Sequence, residues 1–239
     1  MTIVVADSST EICRKLAEAI AGIAKELLKK QEFVTLCLSG GSTPKTLYEF
    51  LAKKFQDKID WKQVHIFWGD ERWVPASDDR NNAKMATESL LSKVAIPRAQ
   101  IHRIRTDVSP SLSAKEYQEI LKTYFEDQKK SFDIVLLGLG KDGHTLSIFP
   151  DSLKRIDEQK SVDVVYNTHD NLQRITLLPN IVNRAANIIF LVTGSAKSEI
   201  VDQVIRGDDS NVYPANLILP DHGNLMWYLD SQAAKHVQK

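Results

Sequence analysis

Apolar and polar positions along the chain fall into two alternating patterns. Short apolar runs, TIVVA (2–6), FVTLCLS (33–39), VHIFWGD (64–70), FDIVLLG (132–138), ITLLP (175–179) and NIIFLVTG (187–194), read as strands. Between them, apolar residues recur every three or four positions and predict helices. The first runs over Asp7–Lys30, with Ile12, Leu16, Ile20, Ile23 and Leu27 on one face. The others are expected at Lys45–Lys54, Asn82–Leu91, Ser113–Lys129 and Ser195–Ile205. Continuous apolar strands that alternate with helices predict an α/β fold, Rossmann-like, with a mostly parallel sheet covered by helices on both faces. No repeat or Pro/Gly-rich linker interrupts the alternation, so one domain over residues 1–239 is expected.

A chain of 239 residues suits such a domain. That length buries about 70–75% of the unfolded surface without disulfide or metal staples. The 31 Lys and Arg balance the 31 Asp and Glu, so no global field recruits nucleic acid or an anionic membrane. An anionic ligand must be held by local charge. Cys13 and Cys37 fall in a predicted helix and strand without metal-ligand spacing, and read as buried thiols of a reducing compartment. The opening MTIVVADSSTE has no basic stretch before a long apolar one, and no apolar run reaches membrane-spanning length. The expectation is a soluble, cytoplasmic protein with neither nucleic acid nor membrane as partner.

In open parallel sheets ligands sit beyond the carboxyl ends of the strands. Four polar, glycine-bearing segments fall there: SGGSTPK (39–45), GDERWVP (69–75), GLGKDGH (138–144) and TGSAKS (193–198). In the first, Gly40, Gly41, Ser42 and Thr43 can offer backbone N–H groups to a phosphate. The same residues also make an ordinary helix start, with Ser42 or Thr43 as cap and Pro44 in the first turn. In the second, Asp70, Glu71 and Arg72 cluster between Trp68 and Trp73. The planar fork of Arg72 suits an anion or an oxyanion, whereas an exposed ion pair there would be worth little. In the last, Lys197 either adds charge to a phosphate or is simply solvated. Arg174, ahead of ITLLP, is a second phosphate ligand or a strand-edge charge.

The third segment contains a literal G-x-G-x-x-G at Gly138, Gly140 and Gly143. A dinucleotide site needs a full helix after its last glycine and an acidic residue closing the next strand. Pro150 interrupts any such helix, and no acidic residue closes the next apolar run, VVY. What remains is Asp142 and His144 on a glycine-shaped loop at a strand end, where an imidazole beside a carboxylate can act as a base near neutral pH. A lone histidine is more often structural. The carboxylate partner and three other polar loops on the same edge favour catalysis.

Taken in order, these segments resemble the 6-phosphogluconolactonase family. LSGGSTPKTLYEFLA is similar to its phosphate loop, HIFWGDERWVP to its second signature and DDRNNAKMATESLL to its Asn-containing helix start. DIVLLGLGKDGHTLSIFP resembles its catalytic loop, and RITLLPNIVNRAANIIFLVTGSAKSEIV its C-terminal signature. Asn81 stands where that family usually has serine. The related glucosamine-6-phosphate deaminases have DEY where this chain has Asp70-Glu71-Arg72. They also carry a glutamate where this chain has Phe149. The resemblance implies hydrolysis of 6-phospho-D-glucono-1,5-lactone to 6-phosphogluconate in the oxidative pentose phosphate pathway. His144 is then the general base, Asp142 or Asp70 orients the imidazole or the water, and Arg72 or backbone amides stabilise the oxyanion. Gly40, Gly41, Ser42, Thr43, Arg174 and Lys197 bind substrate. No metal or organic cofactor is expected, the partner is a small sugar-phosphate lactone, and the chain is expected as a monomer or weak homodimer. An amino-sugar-phosphate isomerase/deaminase and a non-catalytic sugar-phosphate sensor are the rival readings.

Overall fold

The computed structural model describes residues 1–125, 129–157, 159–207 and 213–237. Its elements begin with β1 (Thr2–Ala6), α1 (Ser9–Leu27), β2 (Val34–Leu38), α2 (Ser42–Lys54), β3 (Val64–Trp68), β4 (Asp70–Arg72), α3 (Asn82–Ala86) and α4 (Pro110–Phe125). They continue with β5 (Ile134–Leu137), β6 (Val162–Asn167), β7 (Leu172–Leu177), α5 (Pro179–Val182), β8 (Asn187–Val192), α6 (Ser198–Arg206) and β9 (Asn224–Asp230). Six strands make one parallel sheet in the order β1-β9-β8-β5-β2-β3. The α/β class and the parallel sheet agree with the apolar runs. Every residue of β2 and β5 is buried, as strands covered on both faces must be.

Helix α1 packs Ile12, Leu16 and Ile20 into the core, and the Ser8 hydroxyl caps it by accepting from the Glu11 amide at 3.2 Å. Each such side chain contributes roughly 1.5–3 kcal/mol of burial. Two buried tyrosines fix the strand ends that matter most. The Tyr48 hydroxyl donates to the Ser39 carbonyl (2.7 Å) and accepts from its amide (2.9 Å) just past β2. Tyr117 does the same to Trp68 at the end of β3, at 2.8 and 2.9 Å. Each hydroxyl satisfies backbone groups that the sheet leaves unpaired there.

The chain crosses from β2 outward to β3, then returns to the other side of β2 as β5 and proceeds through β8 to β9. The direction of winding therefore reverses between β2 and β5, and such a reversal opens a crevice beyond the strands' carboxyl ends.

Some expectations are corrected. Of ITLLP, only Ile175 to Leu177 are strand, the end of β7, which does not join the parallel sheet but forms a second, antiparallel one in the order β4-β7-β6; Leu178 and Pro179 open α5. Strand β9 was not anticipated, and it fills the sheet between β1 and β8. The fourth helix starts earlier, at Pro110, and is described to Phe125; residues 126–128 of the expected span lie outside the described residues. The last expected helix opens as a 3-10 turn, Ser195–Lys197, before α6. The stretch 82–91 starts as α3 and continues over Thr87–Leu91 as a π turn. Cys13 and Cys37 are buried and unpaired. No described helix is long and apolar enough to cross a membrane.

Candidate active site

At the reversal, the loops after β2, β3, β5 and β8 converge on a cavity of about 190 Å³. Gly40, Asp70, Arg72, His144, Arg174 and Lys197 line it, all six expected from the sequence. The loop after β5 is closed on itself. The Gly140 amide donates to the His144 carbonyl (2.7 Å), and the Thr145 hydroxyl to the Gly138 carbonyl (2.8 Å). This tight closure brings His144 Nδ1 to 2.6 Å from Asp142 Oδ1, while the His144 amide also reaches that oxygen at 3.3 Å. The carboxylate fixes the proton on Nδ1 and leaves the Nε2 lone pair for the cavity. Burial alone would raise the Asp142 pKa. The charge of His144 and the bonds from its ring and amide outweigh burial and hold the carboxyl below its ordinary range.

Gly140 must lack a side chain for this pair to exist. A Cβ there would lie 2.0 Å from His144 Nδ1 and 2.5 Å from Asp142 Oδ1. Two residues past the histidine, Leu146 has a φ of 57°, a strained backbone for a branched residue, and its side chain packs against Gly69. The turn sends Ser147 inward, fully buried, where its hydroxyl donates to Asp70 Oδ2 at 2.6 Å. That bond holds one oxygen of Asp70, so the second is left for the cavity.

Arg72 and Arg174 are direct partners across the antiparallel pair β4·β7. Like charges directly opposite are unfavourable, and each is only partly compensated. Arg72 donates from Nη1 to the Arg80 carbonyl at 2.8 Å, and Arg174 pairs with Asp170. The Nε of each is buried without a hydrogen-bond partner among the described residues. Lys197 reaches the same cavity and donates to the Leu139 carbonyl at 2.6 Å. Burial lowers its pKa, the charge of Lys141 adds to that, and Asp142 opposes it. The site is therefore a cationic pocket with His144 on its wall; Asp142, expected in the site, is not among the lining residues and reaches it through its bond to the His144 ring. The Phe149 ring lies between, 4.8 Å from the His144 ring and 5.5 Å from the Arg174 guanidinium carbon.

Gly41 and Ser42 line an adjoining cavity of about 320 Å³ that shares Arg72 and adds Lys45, Arg80 and Lys84. Neither Ser42 nor Thr43 caps α2. The cap position is Gly41, whose φ of 108° suits glycine, and no side chain bonds the first helical amides. Thr43 lines neither cavity, because its hydroxyl bonds Thr193 at 2.8 Å and ties the first loop to the one after β8.

Sequence reasoning did not single out Ser147, Asn82 or the role of Glu71. Fully buried Glu71 accepts from the amides of Arg72 (2.8 Å), Asn82 (2.7 Å) and Ala83 (2.8 Å), so it anchors the start of α3 to β4. Burial pushes its pKa up to about 7 against those three donors. Asn82 Nδ2 donates to the Asp70 carbonyl at 2.9 Å, and its side chain rests on Gly40. Asn81 caps α3 by accepting from the Lys84 amide at 2.8 Å, so asparagine serves where serine was expected.

The family model for glucosamine-6-phosphate isomerases/6-phosphogluconolactonase matches residues 7–227. A 6-phosphogluconolactonase of Synechocystis is 37% identical over 209 residues, 85% of each chain. The solved 6-phosphogluconolactonase of Trypanosoma cruzi superposes with a TM-score of 0.89 at 28% identity, covering 100% of this chain and 97% of that one. A monomeric glucosamine-6-phosphate deaminase shares the fold at 17% identity, with a TM-score of 0.84 and coverage of 99% and 100%. The chain thus belongs to the glucosamine-6-phosphate isomerase/6-phosphogluconolactonase family, and within it to the 6-phosphogluconolactonases.

Proposed function

We propose that the cavity hydrolyses 6-phospho-D-glucono-1,5-lactone to 6-phosphogluconate, the lactone-opening step of the oxidative pentose phosphate pathway, with His144 as general base. The observation that carries this reading is His144, bonded to Asp142 at 2.6 Å, sharing one cavity with three cationic side chains. In this mechanism Nε2 of His144 takes a proton from water as the oxygen attacks the lactone carbonyl. The tetrahedral intermediate collapses with cleavage of the ring C–O bond, and the imidazolium returns its proton to the departing ring oxygen. Base action of this kind is worth about 10²–10⁴-fold. Asp142 orients the imidazole and stabilises its charged form. Asp70, held by Ser147, receives sugar hydroxyls on its second oxygen. Arg72, with an unpaired buried Nε, stabilises the oxyanion, a term of about 3 kcal/mol.

The phosphate is held by the open amides at the start of α2 with Arg174 and Lys197. Phe149, with no carboxylate to offer, argues against deamination of amino-sugar phosphates. The intact His144–Asp142 pair argues against a non-catalytic sensor.

Parallel assays of lactone hydrolysis, corrected for spontaneous opening, and of ammonia release from glucosamine 6-phosphate test the reading. Lactonase turnover without ammonia is expected. His144→Ala should lose about 10²–10⁴ in kcat with little change in KM. Folded His144→Ala with undiminished corrected turnover would remove His144 from the mechanism and leave Asp70 or Asp142 as base.

A further inference from the structure

The loop that carries Asp142 and His144 is also gripped from outside the cavity. Gly143 stands between them with a φ of 76°, a value open to glycine. The peptide unit that joins Gly143 to His144 is bonded at both ends. Its N–H, the His144 amide, donates to Asp142 Oδ1 at 3.3 Å, and its carbonyl accepts from the Ala215 amide at 3.0 Å. Tyr213 sits directly on the same glycine. A Cβ at Gly143 would fall 2.4 Å from Cδ1 of the Tyr213 ring and 2.8 Å from its Cβ. Neither Tyr213 nor Ala215 lines the cavity.

The segment that supplies this grip is itself fixed to α6. The Tyr213 hydroxyl donates to Gln203 Oε1 at 2.7 Å. Asn216 Oδ1 accepts from the Tyr213 amide at 3.0 Å, and Asn216 Nδ2 donates to the Val204 carbonyl at 3.0 Å. Helix α6 begins directly after Lys197, so Lys197 and the support of the His144 loop share one element.

We propose that Tyr213 is a positioning residue for lactone hydrolysis: with the Ala215 amide, its ring holds the Gly143–His144 peptide in the orientation that keeps Asp142 on the imidazole. The proposal rests on the reading of His144 as general base. A glycine has no side chain to resist rotation of the peptide that follows it. Half a turn of this peptide would aim the His144 N–H away from the carboxylate and take the Gly143 carbonyl off Ala215. The ring over Gly143 leaves no room for that movement. Tyr213 therefore acts through Gly143 on the 2.6 Å bond between Asp142 and the His144 ring. That bond selects the Nδ1–H tautomer and frees Nε2 for the cavity.

The test compares wild type, Tyr213→Ala and Tyr213→Phe in lactone hydrolysis corrected for spontaneous opening. The tautomer of each neutral histidine is read from two-bond ¹H–¹⁵N spectra of histidine-labelled protein, and the His144 signals are assigned by their absence from His144→Ala. Wild type should show His144 with its proton on Nδ1. In Tyr213→Ala an Nε2–H population should appear, and kcat should fall by roughly 10–10²-fold while KM changes by less than about twofold. Tyr213→Phe keeps the ring over Gly143 and should restore both the tautomer and most of kcat. Thermal melts establish folding. If Tyr213→Ala does not fold, Tyr213→Leu, which keeps apolar bulk without the flat ring, replaces it in every comparison. A folded variant with a lower Tm but wild-type tautomer and kcat would overturn the proposal and leave Tyr213 as packing only. An equal loss in Tyr213→Phe would also overturn it, because the hydroxyl bond to Gln203 would then be what matters. Should turnover prove independent of His144, the general-base reading falls, and the tautomer alone decides whether Tyr213 holds the pair.

Discussion

The residue that governs the geometry of the proposed catalytic pair most directly is one without a side chain. At Gly140, a methyl group would come within 2.0 Å of His144 Nδ1, so Gly140→Ala must push the imidazole and Asp142 apart or shift the loop. A displacement of about 1 Å in a reacting group costs on the order of 10²-fold in rate. Gly140→Ala should therefore lower kcat by at least that factor while thermal stability falls only modestly, as kinetics and a melt on one sample will show. An unchanged kcat would mean that the 2.6 Å His144–Asp142 contact is dispensable. Ser147→Ala makes a similar point at Asp70, whose carboxylate loses its 2.6 Å donor. The expected outcome is a lower kcat/KM for the lactone in a folded protein, restored in part by Ser147→Thr. His144, Asp142 and Arg72 were legible because reactive side chains at a glycine-bearing strand end have few other uses. Ser147 was not, because its partner lies 77 positions away and nothing in LSIFP announces that contact.

At the scale of elements, the parallel strands were legible from their unbroken apolar runs, which follow from burial on both faces. The second sheet was not. Strand β4 reads Asp-Glu-Arg and has no strand propensity of its own; it is extended because its backbone pairs with Arg174, Ile175 and Thr176 of β7. That pairing is what puts Arg72 beside Arg174, so the least legible element builds the cationic side of the cavity. Its attachment to α3 runs through Glu71, with a pH consequence. The Glu71 pKa is raised from 4.5 to about 7, chiefly by burial. The folded state thus holds a proton that the unfolded state gives up, so stability from this group is full below pH 4.5 and declines until pH 7. At 1.36 kcal/mol per unit the decline is on the order of 3 kcal/mol. Glu71→Gln cannot titrate, so its stability relative to wild type should rise between pH 4.5 and 7 and level off above. Denaturant midpoints measured across that range check this. A constant difference would mean that the three amide donors keep Glu71 ionised throughout.

For the whole molecule the relevant fact is a formal net charge of zero combined with a local excess of positive side chains in one cavity. Arg72 and Arg174 face each other across two strands, at a cost of roughly 0.2–1 kcal/mol for like charges so placed. On the proposed reading, a phosphate at Arg174 and the ligand's carboxylate at Arg72 offset that repulsion, so ligand binding and fold stability should be coupled through this pocket. The reaction product, 6-phosphogluconate, is stable enough to serve as the probe. At a hundred times its dissociation constant it should stabilise the fold by about 2.7 kcal/mol, which for a chain of this size raises Tm by roughly 5–10 °C. Gluconate at the same concentration lacks the phosphate and should give a much smaller shift. Lys197→Ala should reduce the protection by 6-phosphogluconate and leave that by gluconate nearly as it was. The same substitution should raise KM for the phosphorylated lactone more than it lowers kcat if, as proposed, the lysine binds the end of the substrate that does not react. The interactions are charge-assisted, so the protection should weaken as salt rises from 0.05 to 0.5 M, a range over which the screening length falls from roughly 14 to 4 Å. If gluconate protects as well as its phosphorylated form, the cations of this cavity do not hold a phosphate, and their role has to be sought at the lactone ring instead.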